Sequence, residues 1–290
     1  MKNPKIGAHV SIAGGIGKAI KRASEIGAEC IQIFPGSPRR YDVFSLTEKD
    51  TISFLNAVKI NNINPIFVHA SYLVNLASED ISIKKKSVRA ITESLFFVEK
   101  IKANGLIYHP GSPKEGSKEN AIEREINSLQ EILNKTPKKT NIYIENTAGM
   151  KKIGSNEKEV GYIMKKLNSP RLSVCIDTAH ALESGNIKDF STKEIKKWIK
   201  KWENEISLEK IGVFHINDSL TAFNSHHDRH QNIGEGFIGI KGFYNLMSFS
   251  EIKGIPWIIE VPGFDNQGPD KKNITILKKI RSNLNNKNGK

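Results

Sequence analysis

The sequence predicts an α/β fold, a single-domain (β/α)8 barrel, on three observations. Eight short runs rich in β-branched residues recur along the chain, each apolar on both faces and too short for a helix. Between them lie segments with helical spacing and lysine-rich outer faces. No low-complexity linker or shift of composition divides the 290 residues. Strands buried on both faces imply a parallel sheet covered by helices, and eight such units in about 250 residues is the size of a closed barrel.

The elements follow in order. Residues 5–10 form the first strand and 17–27 the first helix; then come strand 30–35, helix 48–61, strand 65–70 and helix 84–104. Strand 105–110, helix 119–135, strand 141–146, helix 157–168, strand 172–177 and helix 192–205 continue the alternation, and strands 211–218 and 256–262 complete it. Gly14, Gly15 and Gly17 open the first helix, but their spacing is not GxGxxG and no acidic residue closes the next strand, so a dinucleotide fold is set aside. The domain is expected over residues 1–282, with a polar, frayed tail over 283–290 (NLNNKNGK).

With 38% hydrophobic and 26% charged residues, the chain can build one large core and has no apolar stretch long enough for a membrane span. Its start carries a lysine but no apolar export segment, so a cytoplasmic monomer is expected, with no membrane partner. Cys30 and Cys175 sit inside apolar runs and read as buried reduced thiols. A formal charge of +13 makes nucleic acid the first partner to consider, although a Lys-, Asn- and Ile-rich composition can produce that charge by itself.

Chemistry-bearing residues fall at the strand ends. These read His9, FVHASY with His69, IYHPGS with His109, YIENTAG with Glu145, CIDTAH with Asp177 and His180, FHINDS with His215, and IIEVPG with Glu260. In a barrel those ends converge on the face where active sites form. One such residue alone is usually a hydrogen-bonded structural group. Many together on an inner rim are costly to bury without a cation, and mixed imidazole and carboxylate donors favour Zn²⁺, with Mn²⁺ or Fe²⁺ as alternatives. In the loop after the seventh strand, HHDRH puts Asp228 and His230 on the same side of an extended segment, and Gly234 and Gly236 let that loop fold over the mouth. Nine ligands result: His69, His109, Glu145, Asp177, His180, His215, Asp228, His230 and Glu260, enough for two or three ions.

The strings GAHVSIAGG, HASYLVNLAS, HPGS, IENTAG, CIDTAHALESG, FHINDS and DRHQNIGEGFIG, in this order from Ile6 to Pro262, resemble those of the endonuclease IV family, zinc-dependent apurinic/apyrimidinic endonucleases of base excision repair. The resemblance implies a TIM barrel with three zinc ions per chain. His69 and His109 match ligands of the first, Glu145 the bridge to the second, Asp177, His215 and Glu260 the rest of the second, and His180, Asp228 and His230 the third. Departures are small: Ala70 stands before Ser71 where some members have an acid, Ala179 where others have Cys, and EVPG where many have ET. None removes a ligand.

The resemblance further implies hydrolysis of the phosphodiester bond 5′ to an abasic site in duplex DNA, and trimming of blocked 3′ ends, with Glu145 as the catalytic carboxylate. Clustered divalent ions supply an acidified water and neutralise phosphoryl charge. Arg39, Tyr72 and Leu73, on loops after the second and third strands, match the family's DNA-penetrating residues; packing onto the barrel is the alternative for Tyr72 and Leu73. His9 reads as a hydrogen-bonding neighbour of the ligands, His226 and His227 as loop residues, and Arg229 as either a phosphate contact or a surface ion pair. Lys84–Lys86, Lys151-Lys152 and Lys196–Lys201 read as solvated helix faces, of which only those near the mouth would touch DNA, and Trp198, Trp202 and Trp257 read as packing. A sugar isomerase or epimerase of the xylose-isomerase-like barrels shares the fold but leaves the third cluster and the basic charge unexplained. A catalytically silent zinc barrel that binds nucleic acid has no need of a full ligand set.

Overall fold

The computed structural model describes residues 3–288. In chain order its strands are β1 (Ile6–His9), β2 (Ile31–Ile33), β3 (Ile66–His69), β4 (Gly105–Tyr108), β5 (Asn141–Glu145), β6 (Leu172–Asp177), β7 (Ile211–His215), β8 (Asp218–Ser219), β9 (His230–Gln231) and β10 (Trp257–Ile259). Eight of them form a closed parallel barrel in which β10 pairs with both β7 and β1, the seam being Ile6 opposite Trp257 and Ala8 opposite Ile259. β8 and β9 make a separate antiparallel ribbon at the mouth.

The helices are α1 (Gly17–Ile26), α2 (Glu48–Asn61), α3 (Ile81–Lys100), α4 (Lys118–Lys135), α5 (Glu157–Leu167), α6 (Thr178–Glu183), α7 (Thr192–Glu205), α8 (Gly239–Met247) and α9 (Lys271–Asn288). Capping explains where several begin. Thr47 and Asp50 form a reciprocal capping box at α2, and Asn156 and Ser191 accept from the first turns of α5 and α7. Asp80 accepts from the Ser82 and Ile83 amides, which starts α3 three residues before the expected Lys84.

Two expectations need correction. The seventh strand ends at His215, and residues 218–219 belong to the ribbon. The expected frayed tail from Asn283 is instead the end of α9, which runs to Asn288. Leu284 continues the face of Ile274, Leu277 and Ile280 and packs on the core, so burial carries the helix through polar neighbours. Gly289 and Lys290 lie outside the described residues.

Side chains alternate across each strand, and the core divides accordingly. One apolar set, including Ile31, Val68, Leu106, Ile144 and Val174, packs between barrel and helices. A second, separate set consists of Cys30, Phe67, Ile107, Tyr143, Cys175, Val213 and Ile258, one from each of seven barrel segments, and fills the lumen. Both cysteines are free and buried, and Trp198, Trp202 and Trp257 are buried as packing residues. Among the described residues no helix is long and apolar enough to cross a membrane.

Candidate metal centre

Two positions beyond each member of the lumen set the same strand face presents a polar residue: Gln32, His69, His109, Glu145, Asp177, His215 and Glu260. The period-two alternation that buries the apolar plug therefore aims the next layer into the mouth. Glu145 lies at its centre. Its Oε2 is 3.1 Å from His69 Nε2 and 3.2 Å from His109 Nε2, while its Oε1 is 2.9 Å from His215 Nδ1. His215 Nδ1 also lies 3.2 Å from Glu260 Oε2 and 3.9 Å from Asp177 Oδ2.

A third group adjoins these. His180, on α6, faces Asp228 Oδ1 at 3.2 Å, and His230, on β9, lies 3.6 Å from Asp177 Oδ2 and 3.8 Å from Asp228 Oδ1. All nine sequence-predicted ligands thus belong to one connected constellation. Donor atoms of His69, His109 and Glu145, of Glu145, Asp177, His215 and Glu260, and of Asp177, His180 and His230 each fall within 4.8 Å of one another, as a metal ion requires. Asp177 accordingly adjoins the third group as well as the second.

The imidazoles are held from behind. Three of the five use one nitrogen outside the cluster: His69 Nδ1 donates to Ala70 O at 2.7 Å, His180 Nδ1 to Asn146 O at 2.9 Å, and His215 Nε2 to Gln32 Oε1 at 2.7 Å. The other nitrogen is then free to present a lone pair, the arrangement metal-ligating histidines adopt. His180 Nε2 and His230 Nε2 are buried nitrogens that face carboxylate oxygens at 3.2–3.8 Å without a well-directed hydrogen bond among the described residues. Such groups are rare unless a ligand satisfies them. The donor set fits a divalent cation.

Electrostatics agree. Burial opposes ionisation of Glu145, but His215 and His109 beside it outweigh burial and hold the carboxyl well below the usual carboxylate range. Burial likewise disfavours charge on His180 and His215, yet Asp177 and Asp228 lift the first and Cys175, Glu145 and Glu260 lift the second well above the usual imidazole range. Burial pushes His9 and His109 down. A cation between the same atoms would hold these carboxylates together with the imidazoles neutral.

Residues 20–280 match a family model described as Xylose isomerase-like TIM barrel. A protein of Aquifex aeolicus (strain VF5), "Probable endonuclease 4", is 38% identical over 280 residues, which cover 96% of this chain and 98% of the relative. This chain belongs to the endonuclease 4 family. The crystal structure of endonuclease IV from Thermus thermophilus superposes with a TM-score of 0.84 at 27% identity, covering 97% of this chain and 100% of that one. A D-tagatose 3-epimerase-like protein superposes with a TM-score of 0.73 at 21% identity, covering 98% and 99%, and shares the barrel alone.

In this member of the family the centre opens into a cavity of about 710 Å³ walled by Tyr72, His109, Lys152, Asp228, Arg229 and Glu260 among others. Tyr72 is 59% exposed, its ring 5.2 Å from Phe34 and 6.3 Å from His109, so it stands over the centre instead of packing into the barrel. Leu73 is exposed beside it, and Arg39 is exposed on the preceding loop, both outside the cavity wall. Those two loops are tied together, since Tyr72 N and Ser71 Oγ both donate to Pro38 O. His226 and His227 lie on the same loop as Asp228 and belong to none of these ligand groups among the described residues.

Three functional positions escaped the sequence reading. Gln32 donates to Glu260 Oε1 at 2.6 Å and to His9 Nδ1 at 2.8 Å, besides accepting from His215. Asn146 and Asn217 brace Asp177, the first through its backbone at 2.6 and 3.0 Å, the second through Oδ2 at 2.6 Å. An amide carries no chemical signature of its own. The strand parity shared with the ligands was the available signal for Gln32.

Proposed function

We propose that this chain is a DNA repair endonuclease that hydrolyses the phosphodiester bond 5′ to an abasic site in duplex DNA, leaving a 3′ hydroxyl and a 5′ deoxyribose phosphate. It also removes 3′-blocking groups, and it works with three zinc ions. The reading rests chiefly on one observation: nine imidazole and carboxylate side chains from seven stretches of chain meet at one barrel rim. Endonuclease 4 relatives over nearly the whole chain support it. The third group, on α6 and the β8–β9 loop, also favours it over sugar isomerisation, for which one or two ions suffice.

The residues divide the work. His69 and His109 would hold the first ion with Glu145 Oε2; Glu145 Oε1, Asp177, His215 and Glu260 the second; His180, Asp228 and His230 the third. When bound, such ions acidify a water and neutralise charge on a phosphoryl group and its leaving oxygen. Glu145 spans the first two groups with its two oxygens, which places it to orient a nucleophilic water and take its proton. Tyr72 and Leu73 present apolar surface at the mouth and Arg39 a charge, suited to fill a duplex gap and hold the flanking strand. A flipped nucleotide costs least where its base is already lost, which makes an abasic site the favoured substrate.

Cleavage of a duplex carrying one abasic site, run beside metal analysis with and without a chelator, tests the reading. Incision 5′ to the lesion that is lost on chelation and restored by Zn²⁺ is expected. Chelator-resistant incision, or none by zinc-loaded protein, refutes it.

A further inference from the structure

We propose that Lys152 is a phosphate-contacting residue of this site, binding the DNA backbone at the mouth beside the third ligand group; the inference rests on the DNA reading above. From the sequence, Lys151-Lys152 reads as part of a solvated helix face. The structure instead puts Lys152 in the connection between β5 and α5, seven residues beyond the central Glu145. There it forms part of the cavity wall with Tyr72, His109, His180 and Asp228.

This lysine is held in place. Its backbone N–H donates to Gly149 O at 3.0 Å, closing a tight turn. Its stem then lies across Gly149 so closely that a Cβ there would meet Lys152 Cγ at 3.0 Å and Cδ at 3.2 Å. The absence of a side chain at Gly149 leaves room for the stem to run toward the cavity, and the ammonium stops 3.3 Å from Asp228 Oδ2 with its side chain 40% exposed. Half-exposed ion pairs contribute little to stability, so the pair does not account for the placement.

Asp228 divides its oxygens. Oδ1 faces His180 and His230, and Oδ2 faces the lysine. An ammonium has three N–H donors, and one suffices for Asp228. The others remain for an anion in the cavity. Among the described residues the wall offers two permanent cations for that purpose, Lys152 and Arg229. Arg229 is anchored only through its backbone, by Glu183 and Leu220. Lys152, with its stem across Gly149 and its head beside the ligand group, is the better preorganised of the two.

The test is the salt dependence of binding. Zinc-loaded protein is titrated by fluorescence anisotropy against an abasic duplex made resistant to cleavage at the 5′ linkage, over a series of KCl concentrations. Removing one phosphate contact makes the slope of log K against log salt shallower by about one and weakens binding by about tenfold near 0.1 M salt. Lys152→Met is expected to do both with its zinc content unchanged, and Lys152→Arg to restore the slope. A merely structural role would leave the slope alone. A steep native slope that Lys152→Met does not alter overturns the assignment of Lys152 and leaves the nuclease reading standing. A flat response of the native protein overturns both.

Discussion

Two hydrogen bonds from one amide hold a pair of the cluster: Gln32 accepts from His215 at 2.7 Å and donates to Glu260 at 2.6 Å. The first turns His215 Nδ1 toward Glu145, and the second engages Glu260 Oε1 so that Oε2 points inward. Outer partners of this kind typically change metal affinity by about 10–100-fold. Gln32→Leu should therefore lower zinc affinity by about that factor in a chelator competition, and unchanged affinity would make Gln32 a packing residue. Glu145→Ala removes the carboxylate shared by two groups and should reduce incision to background with most of the fold retained. Substantial incision by that variant with its metal intact would take the catalytic role from Glu145. At this scale the ligands were legible because an imidazole or carboxylate ending an apolar run is costly to bury unpaired, and so many of them converging on one rim call for a cation. Whether Lys151-Lys152 lies near the mouth was not legible, because the turn in which Lys152 N–H donates to Gly149 O is not written in a pair of lysines.

The loop that carries Asp228 and His230 is held by two buried carboxylates. Asp218 accepts from the backbone N–H groups of Ser219, Gly234, Ile238 and Gly239, and Glu183 accepts from Ser219, Thr221 and Arg229. Gly236 passes so close that a Cβ there would lie 2.3 Å from Ser219 O, which glycine alone permits. Asp218→Ala leaves several of those amides without a partner, at about 1–3 kcal/mol for each left buried and unsatisfied. Limited proteolysis should then cut between residues 219 and 239 faster than in the native protein. An unchanged cleavage pattern would show that the loop is held by other means.

Helix α9 is fastened in a comparable way, by Arg281, which donates to both oxygens of Glu29 at 2.7 Å and to Pro4 O at 2.8 Å. Burial opposes ionisation of Glu29, but Arg281 and the Ile6 amide bring its carboxyl down to about 2 from an ordinary 4.5. A depressed carboxyl stabilises the fold above its unfolded value, and that contribution disappears as pH falls through the folded one. Arg281→Met should thus destabilise the protein at pH 7, by about 1 kcal/mol in urea titration because solvent screens this partly exposed pair, with the difference from native shrinking between pH 4.5 and 2. A difference independent of pH would sever the link to Glu29. All eight barrel strands and six helices were legible, since β-branched runs and amphipathic spacing survive without tertiary context. Helices α6, α8 and α9 were not: α6 is six residues long and carries a ligand, α8 contains Gly239 and Gly242, and the apolar face of α9 ends among asparagines.

Across the whole molecule, one alternation sets both stability and site. The residues that plug the lumen and those that line the mouth are the same strand faces two positions apart, so closing the barrel assembles the centre. Closure itself was an inference from the number of units, and the seam between β1 and β10 shows it. Gathering so many carboxylates is unfavourable until cations bind, and ligands that bind only the folded state stabilise it by about 4 kcal/mol at a thousandfold excess over Kd. Chelation should lower Tm by about 10 °C, and Zn²⁺ should restore it. A Tm indifferent to chelator would mean that the cluster is held by protons alone. Diffraction from crystals grown with zinc, collected on both sides of the zinc absorption edge, tests the central claim most directly. The account predicts three anomalous peaks: one among His69, His109 and Glu145, one among Glu145, Asp177, His215 and Glu260, and one among His180, Asp228 and His230. Peaks lying elsewhere, or none at the barrel mouth, would contradict it.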